Sequence, residues 1–343
     1  MFSSLRSAAM SVLSTPEERA RAAADRLGLV SLPNPDVEAY NSVVEEGLRA
    51  LSGPDGISRF ETLHNEAFAS KAVLHTGLRR YAVLEHALDR FVDSDRDNLM
   101  ENEIALHAIR TAWEASDRRP FFAALYGKAL FNTGYGYRGA DWAGNVTQTG
   151  WEKLHEHVEL AHEVFEETAE AAGTCPFWFR MLFQIGLSDG SDHSELESRF
   201  GDAQFFDPYD IDIYADRAYQ LLPRWHGSYE AIEAFAQDAV AHTNERYGFM
   251  LYAWIYESIR HVELEDKADT LASWELLKRG FRDWFATTGT QYTLNVFAEY
   301  AHYHGDTGCL RELLEGPWDV FYPDAWQSPE TAARVLENFP GRR

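Results

Sequence analysis

The 343-residue sequence has little cysteine, and its two residues of this type, Cys175 and Cys309, lie far apart. They form no Cys-x-x-Cys pattern, so the sequence indicates neither a disulfide framework nor a cysteine-based zinc or redox site. So few cysteines in a large chain are typical of a reducing compartment. We therefore expect a cytoplasmic protein.

Long apolar runs are also missing. No segment approaches the roughly 18 consecutive apolar residues of a membrane span. Serines interrupt the apolar stretch near the N-terminus, and the acidic residues Glu17 and Glu18 follow it, which is a poor pattern for a signal peptide. The sequence predicts no membrane partner.

Positive charge is scarce as well. Lys and Arg number 31 against 55 Asp and Glu, which gives a net charge of −24. A field of this sign repels phosphate backbones and anionic membrane surfaces, so nucleic acid is not expected as a partner. A basic partner, or solubility alone, fits this charge better.

Aromatic and apolar residues are plentiful, at 14% and 45% of the chain. That much apolar surface excludes disorder over most of the length, and the length allows one large domain or two moderate ones. Apolar residues recur at three- and four-residue steps, the period of helices with one buried stripe. A first helix is predicted from the capping pattern Ser14–Thr15–Pro16 to about Leu27, ending at Gly28. Others are predicted at about 119–132, 150–172, 176–186, 194–204, 211–222, 228–242, 246–261, 268–287, 291–304 and 307–315.

About a dozen short helices with tight turns are typical of stacked antiparallel pairs. The segments 203–221 and 297–314 have the alternation of small and bulky residues found in tetratricopeptide-type hairpins, although no strict 34-residue period repeats. The predicted fold is all-α, a degenerate tetratricopeptide-like helical-hairpin solenoid; the alternative is an irregular all-α domain. We expect an N-terminal helical arm at 1–55, a helical-repeat domain at 56–326, and a C-terminal helix and tail at 327–343.

Three stretches together resemble a bacterial domain-of-unknown-function family (4034 type) with tetratricopeptide-like helices. The first begins at Phe121-Phe122-Ala123-Ala124-Leu125-Tyr126-Gly127, and the second runs from Tyr219-Gln220-Leu221 through Leu222-Pro223-Arg224-Trp225-His226-Gly227-Ser228 to Glu230. The third begins at Gly280-Phe281-Arg282 and continues with Asn295-Val296-Phe297-Ala298 and Gly305-Asp306. The resemblance covers roughly residues 110–326 and implies a helical-repeat fold without a known reaction. His226 stands where that family usually has glycine, so we expect the backbone or a contact to differ there.

The segment 132–145 holds four glycines, three aromatic residues and one arginine among its residues. We interpret it as a structured loop, and we favour a packed turn with Trp142 in the core and Arg138 bound to a carboxylate or carbonyl. The alternative is a pocket wall in which the aromatic rings and the guanidinium bind a planar or anionic group. The segment lacks the Gly-Lys-Ser/Thr end of a P-loop, so nucleotide binding is not indicated. The candidate binding residues are Tyr135, Tyr137, Arg138 and Trp142.

The corner at 222–228 provides three further binding candidates, Arg224, Trp225 and His226. Its structural interpretation is that Pro223 ends one helix and Gly227 permits the turn into the next.

Four of the 13 histidines follow a glutamate by three residues, which places both groups on one helix face. Two such pairs, Glu152 with His155 and Glu159 with His162, form a stripe on one helix. A divalent metal there is the alternative to a solvated stripe, but it needs a further group such as His64 or His302 brought over by folding. No other cofactor is predicted.

The primary functional hypothesis is a non-enzymatic scaffold that binds a protein or peptide, with a basic segment, on a concave face. One alternative is a metal-dependent enzyme or metalloprotein that uses the Glu-x-x-His stripe or a pocket at the glycine-rich segment. Another is an immunity or regulatory protein that masks a basic partner. The sequence contains none of the common nucleophile motifs.

Overall fold

The computed structural model describes residues 15–53, 55–93, 98–139, 143–186, 191–260 and 270–339. Over these residues the protein is all-α, as predicted, with sixteen α-helices and one two-residue parallel strand pair. In chain order the elements are α1 (Pro16–Arg26), β1 (Val30–Ser31), α2 (Pro35–Leu51), α3 (Gly56–Ser70), α4 (Arg80–Phe91), α5 (Leu99–Ala115), α6 (Pro120–Arg138), α7 (Gln148–Ala172), α8 (Pro176–Ile185), α9 (His193–Phe206), α10 (Ile211–Gln220), α11 (Tyr229–Tyr247), α12 (Met250–Ser258), α13 (Trp274–Thr288), α14 (Gln291–Tyr303), α15 (Thr307–Glu315), β2 (Val320–Phe321) and α16 (Pro329–Glu337).

Within those ranges, none of the helices is both long enough and apolar enough to cross a membrane.

The chain forms two compact units. The terminal unit comprises the described residues of Met1–Glu38 and Tyr229–Arg343, and the central unit comprises Ala39–Ser228. The terminal unit joins both ends of the sequence, because α1 packs on α16.

In the terminal unit, α1 begins as its sequence predicts. The hydroxyl of Thr15 accepts from the Glu18 amide while the Glu18 carboxylate accepts from the Thr15 amide, a reciprocal capping box. The helix ends at Arg26, and Gly28 follows with a φ of 77°. Arg26 donates to the carbonyls of Leu336 and Phe339, so α1 is fixed to the C-terminal helix.

The central unit is organised around α6 and α7, which pack along most of their lengths. Gly127 of α6 lies directly against the ring of Phe165 on α7; a β-carbon at Gly127 would stand 2.4 Å from that ring. Beside this contact, the rings of Phe60, Phe121 and Phe177 pack together and join α3, α6 and α8. The absence of a side chain at Gly127 therefore sets the close approach of the two longest helices of this unit.

Two nearly apolar runs form core helices. α8 buries Phe177, Trp178, Met181 and Phe183, and α12 buries most of its length from Met250 to Tyr256.

The interpretation of 132–145 as a loop is wrong for its first half. α6 continues to Arg138, so Tyr135, Tyr137 and Arg138 are helical. Glycine costs about 1 kcal/mol in a helix interior, but tertiary packing outweighs that cost here. Gly134 packs on His157 and Leu154 of α7, and a β-carbon added at Gly134 would meet them at 3.0 and 3.3 Å.

Candidate functional site

The three candidates on the last turns of α6 have partners within the central unit. The Tyr137 hydroxyl donates to Glu103 of α5 at 2.8 Å. The Arg138 guanidinium lies 5.2 Å from the centroid of the Trp151 ring and donates to the Gly139 carbonyl. Tyr135 packs on Phe131, one turn earlier. These contacts join α6 to α5 and α7, and Trp142 lies outside the described residues.

At the corner before α11, Arg224 and Trp225 gather around one ring. The Arg224 guanidinium lies 5.3 Å from the centroid of Tyr219, and the Trp225 ring lies 6.0 Å from it. His226 adopts the left-handed conformation, with a φ of 66°, which glycine takes with less strain. The resembled family has glycine at this position, and His226 takes the left-handed geometry with a side chain present.

The solvent-facing side of α7 carries a continuous row of carboxylates. Glutamates recur at alternating four- and three-residue steps, and all of them are exposed. We call these residues the acidic stripe: Glu152, Glu156, Glu159, Glu163, Glu166 and Glu170. One lysine, Lys153, lies on this helix and bonds Glu156 at 2.7 Å. The stripe runs about 27 Å along the helix axis.

The proposed metal residues lie on or beside this stripe. Glu152 accepts from Gln148, the His155 ring stacks on Trp151, and His162 lies 3.4 Å from Glu166. Glu159 is exposed. In the part of the chain that the structure describes, no three or more His, Cys, Asp or Glu side chains are placed to hold a metal ion.

The two histidines named as possible completing ligands have their contacts elsewhere in the structure. His64 is buried in the central unit, where its Nε2 bonds Glu85 at 2.9 Å. Glu61, its sequence partner, instead forms two bonds with Arg119 at 2.8 and 2.9 Å. His302 belongs to the terminal unit and packs beside Tyr303.

A buried ionic network that the sequence analysis missed lies at the centre of this unit. The Arg180 side chain on α8 is 3% exposed and faces carboxylates from two other elements. Its Nε donates to both oxygens of Glu85 on α4, and its two Nη atoms contact Asp210 and Asp212 at the start of α10. Glu85 also accepts from His64, whose Nδ1 has no hydrogen-bond partner among surrounding aromatic rings. The Nε2–H tautomer of His64 satisfies this arrangement.

The carboxylates of this network respond differently to burial. Burial opposes ionisation of Glu85, but Arg180 and His64 outweigh it and lower its pKa below the usual value. For Asp216, one turn after Asp212, burial and the neighbouring Asp212 charge raise the pKa to about 7. Burial, reinforced by Asp212 and opposed by Arg180, raises the pKa of Asp210 to about 6. The network thus has more carboxylates than its one guanidinium neutralises.

The terminal unit holds a smaller network of the same kind. Glu299 on α14 is fully buried and accepts from Arg260 at 3.1 Å and from the Gln327 amide at 3.2 Å. Arg260 also donates to the Ala325 carbonyl, so this guanidinium ties α14 to the segment before α16. Burial, opposed by Arg260, raises the pKa of Glu299 to about 7.

One sequence signal for the central network was available. Arg180 is the one charged residue in the apolar run from Phe177 to Phe183, and a buried arginine requires carboxylate partners. Its partners lie 95 and 30 residues away, so only the fold identifies them.

Comparison with models of known protein families, with curated proteins and with solved structures gave no match. The resemblance to the bacterial family stays a prediction.

Proposed function

We propose that this protein is a non-enzymatic scaffold that binds a basic segment of a protein or peptide along α7. The observation that carries the proposal is the acidic stripe: six exposed glutamates in one row, beside a single lysine. A surface of one sign attracts a partner of the other sign and speeds its association.

The acidic stripe lowers the stability of the unbound protein. Like charges three or four residues apart on a helix destabilise it by about 0.2–0.5 kcal/mol per pair. The six glutamates form five such pairs of neighbouring charges. Glu170 adds to the cost because it lies near the negative end of the helix dipole. A bound row of lysine or arginine side chains removes this repulsion.

The stripe also sets the size of the partner. An extended peptide covers about 3.3–3.6 Å per residue, so about eight residues span the stripe. Leu160, which is 40% exposed on the same helix, offers one apolar contact beside the charges.

The proposal includes a finer architecture, a degenerate tetratricopeptide-like solenoid of the resembled bacterial family in the cytoplasm. Pairwise packing of consecutive helices supports it, as in α3 with α4, α6 with α7, and α14 with α15.

The experiment measures binding of fluorescein-labelled octalysine by anisotropy at low and at physiological ionic strength. We expect the wild type to bind and salt to weaken the complex. The test variant changes Glu159, Glu163, Glu166 and Glu170 to Gln, and we expect its affinity to fall at least about fourfold, since each exposed ion pair contributes about 0.2–1 kcal/mol.

The control variant removes the same charge from scattered exposed positions: Glu38, Glu197, Glu245 and Glu315 to Gln. Its affinity should change less than about twofold if position on α7 matters more than net charge. Equal losses in the two variants, or no binding of octalysine by the wild type, would refute the proposal.

A further inference from the structure

The first turns of α10 carry three carboxylates that contact side chains of α8, two at Arg180 and one at Gln184. Asp210 caps the helix through the Asp212 amide and contacts Arg180, and Asp212 lies 3.4 Å from the same guanidinium. Asp216 follows Asp212 by four residues and accepts from Gln184 of α8 at 3.3 Å. Like charges at this spacing repel along one helix face.

The charges that face this group from the other elements do not balance it. Arg180 is shared with Glu85, and Lys128 of α6 is bonded to Asp89 at 3.1 Å. His86 lies 3.8 Å from Asp212 and bonds the Tyr40 hydroxyl at 2.8 Å. The titratable or charged groups around the three aspartates include Tyr40 (α2), His64 (α3), Lys71 (directly after α3), Tyr81, Glu85, His86, Asp89 and Arg90 (α4), Lys128 (α6) and Arg180 (α8).

We propose that Asp216 keeps a proton in the folded central unit, beside the Asp212 carboxylate, and that this proton makes the attachment of α10 to α8 sensitive to pH. When the proton is bound, one fewer negative charge is confined between the two helices, and the Gln184 bond to Asp216 is kept. When it leaves, Asp212 and Asp216 repel, and α10 opens more often. This regulation goes beyond the proposed binding function and does not depend on it.

The direction of the effect follows from the raised pKa values of Asp210 and Asp216. In the unfolded chain these carboxyls ionise near their ordinary values, whereas in the folded unit Asp210 and Asp216 keep their protons to higher pH. The folded state therefore binds more protons between about pH 4 and pH 7, and its stability from this source falls as pH rises through that window.

The test is amide hydrogen exchange of the full-length protein, read in peptides that cover α10 at pH 5 and pH 7.5. In the wild type we expect the protection factor to fall about tenfold or more between these pH values, since each linked proton contributes up to tenfold per pH unit. Asp216→Asn mimics the protonated side chain and can still accept from Gln184. Its protection should match the wild type at pH 5 and exceed it about tenfold at pH 7.5.

The control is Asp202→Asn on the exposed surface of α9, which should follow the wild-type fall. Asp212→Asn is the second variant, because loss of this charge relieves the repulsion on Asp216 and should also flatten the profile. A wild-type protection factor that does not fall overturns the proposal. So does an Asp216→Asn or Asp212→Asn protein that keeps the wild-type fall.

Discussion

Arg180 on α8 donates from Nε to both carboxylate oxygens of Glu85 on α4, at 3.0 and 2.9 Å, in a region where neither side chain is more than 3% exposed. Two helices far apart in sequence are thereby joined by a charge-assisted pair inside the core. Removal of one partner leaves the other charge buried and unpaired, which is far more costly than loss of an exposed pair.

Arg180→Met should therefore lower the free energy of unfolding by about 3–5 kcal/mol, measured by urea denaturation. The matched control is Arg282→Met, since Arg282 pairs with Glu312 at 3.0 Å on the exposed surface. That change should cost less than about 1 kcal/mol. Similar losses in the two variants would contradict the role of the buried network.

Gly127→Ala tests the contact that sets the α6–α7 distance. The new β-carbon would stand 2.4 Å from the Phe165 ring, so the ring or the helix must shift, and overpacking of this kind costs about 1–3 kcal/mol. Gly201→Ala on α9 is the control, because no atom lies within 4 Å of its added β-carbon. It should stabilise by up to about 1 kcal/mol through helix propensity. Denaturation midpoints that move in the same direction would contradict this account.

The acidic stripe should reduce the stability of the unbound protein. Glu159, Glu163, Glu166 and Glu170 changed together to Gln should raise the unfolding free energy by about 1 kcal/mol at low ionic strength, because four like-charge contacts disappear. The gain should shrink in 1 M salt, where surface charges are screened. A destabilised variant, or a gain that salt does not reduce, would show that these glutamates support the fold.

Glu299→Gln tests the buried acid of the terminal unit. In the wild type the pKa of Glu299 is raised. The stability that Glu299 contributes is therefore fully present below about pH 4.5 and is lost as pH rises through about 7. Gln stays neutral, so the stability of the variant relative to the wild type should rise by up to about 3 kcal/mol from pH 4.5 to pH 7.5.

The comparison must be a difference between two proteins, because burial lowers the pKa of His302 and His304 in the same unit, and these groups add stability as pH rises. Glu245→Gln on the exposed surface of α11 is the control and should give a difference independent of pH. Denaturation curves at four pH values decide the outcome. A flat difference for Glu299→Gln would contradict the assignment.

Local signals in the sequence predicted much of the fold. The hydroxyl–proline–acid pattern at Thr15 predicted the start of α1, and the helical period of apolar residues at about 176–186 predicted α8. Each of these features depends on neighbouring residues only, which is why a sequence displays them.

The features that the sequence did not predict depend on contacts with residues distant in the chain. Gly134 and Gly136 are typical of a loop when read alone, but in the fold α7 and α5 fill the space beside them, and α6 continues. Arg180 is paired by residues on two other elements, and Asp210 and Asp216 differ from ordinary aspartates because the fold buries them near the charge of Asp212. The acidic stripe could have been found from its spacing, since six glutamates at four- and three-residue steps mark one helix face.

The most direct test of the central claim is carbodiimide cross-linking of octalysine to the protein, followed by mass spectrometry of the linked peptides. The reagent joins a lysine amine to a carboxylate that the amine contacts, so the linked peptides identify the contacted residues themselves. We expect the cross-links between octalysine and the protein to concentrate on Glu159, Glu163, Glu166 and Glu170 and to disappear in excess salt. Links spread over the exposed carboxylates of both units, or concentrated away from α7, would contradict it.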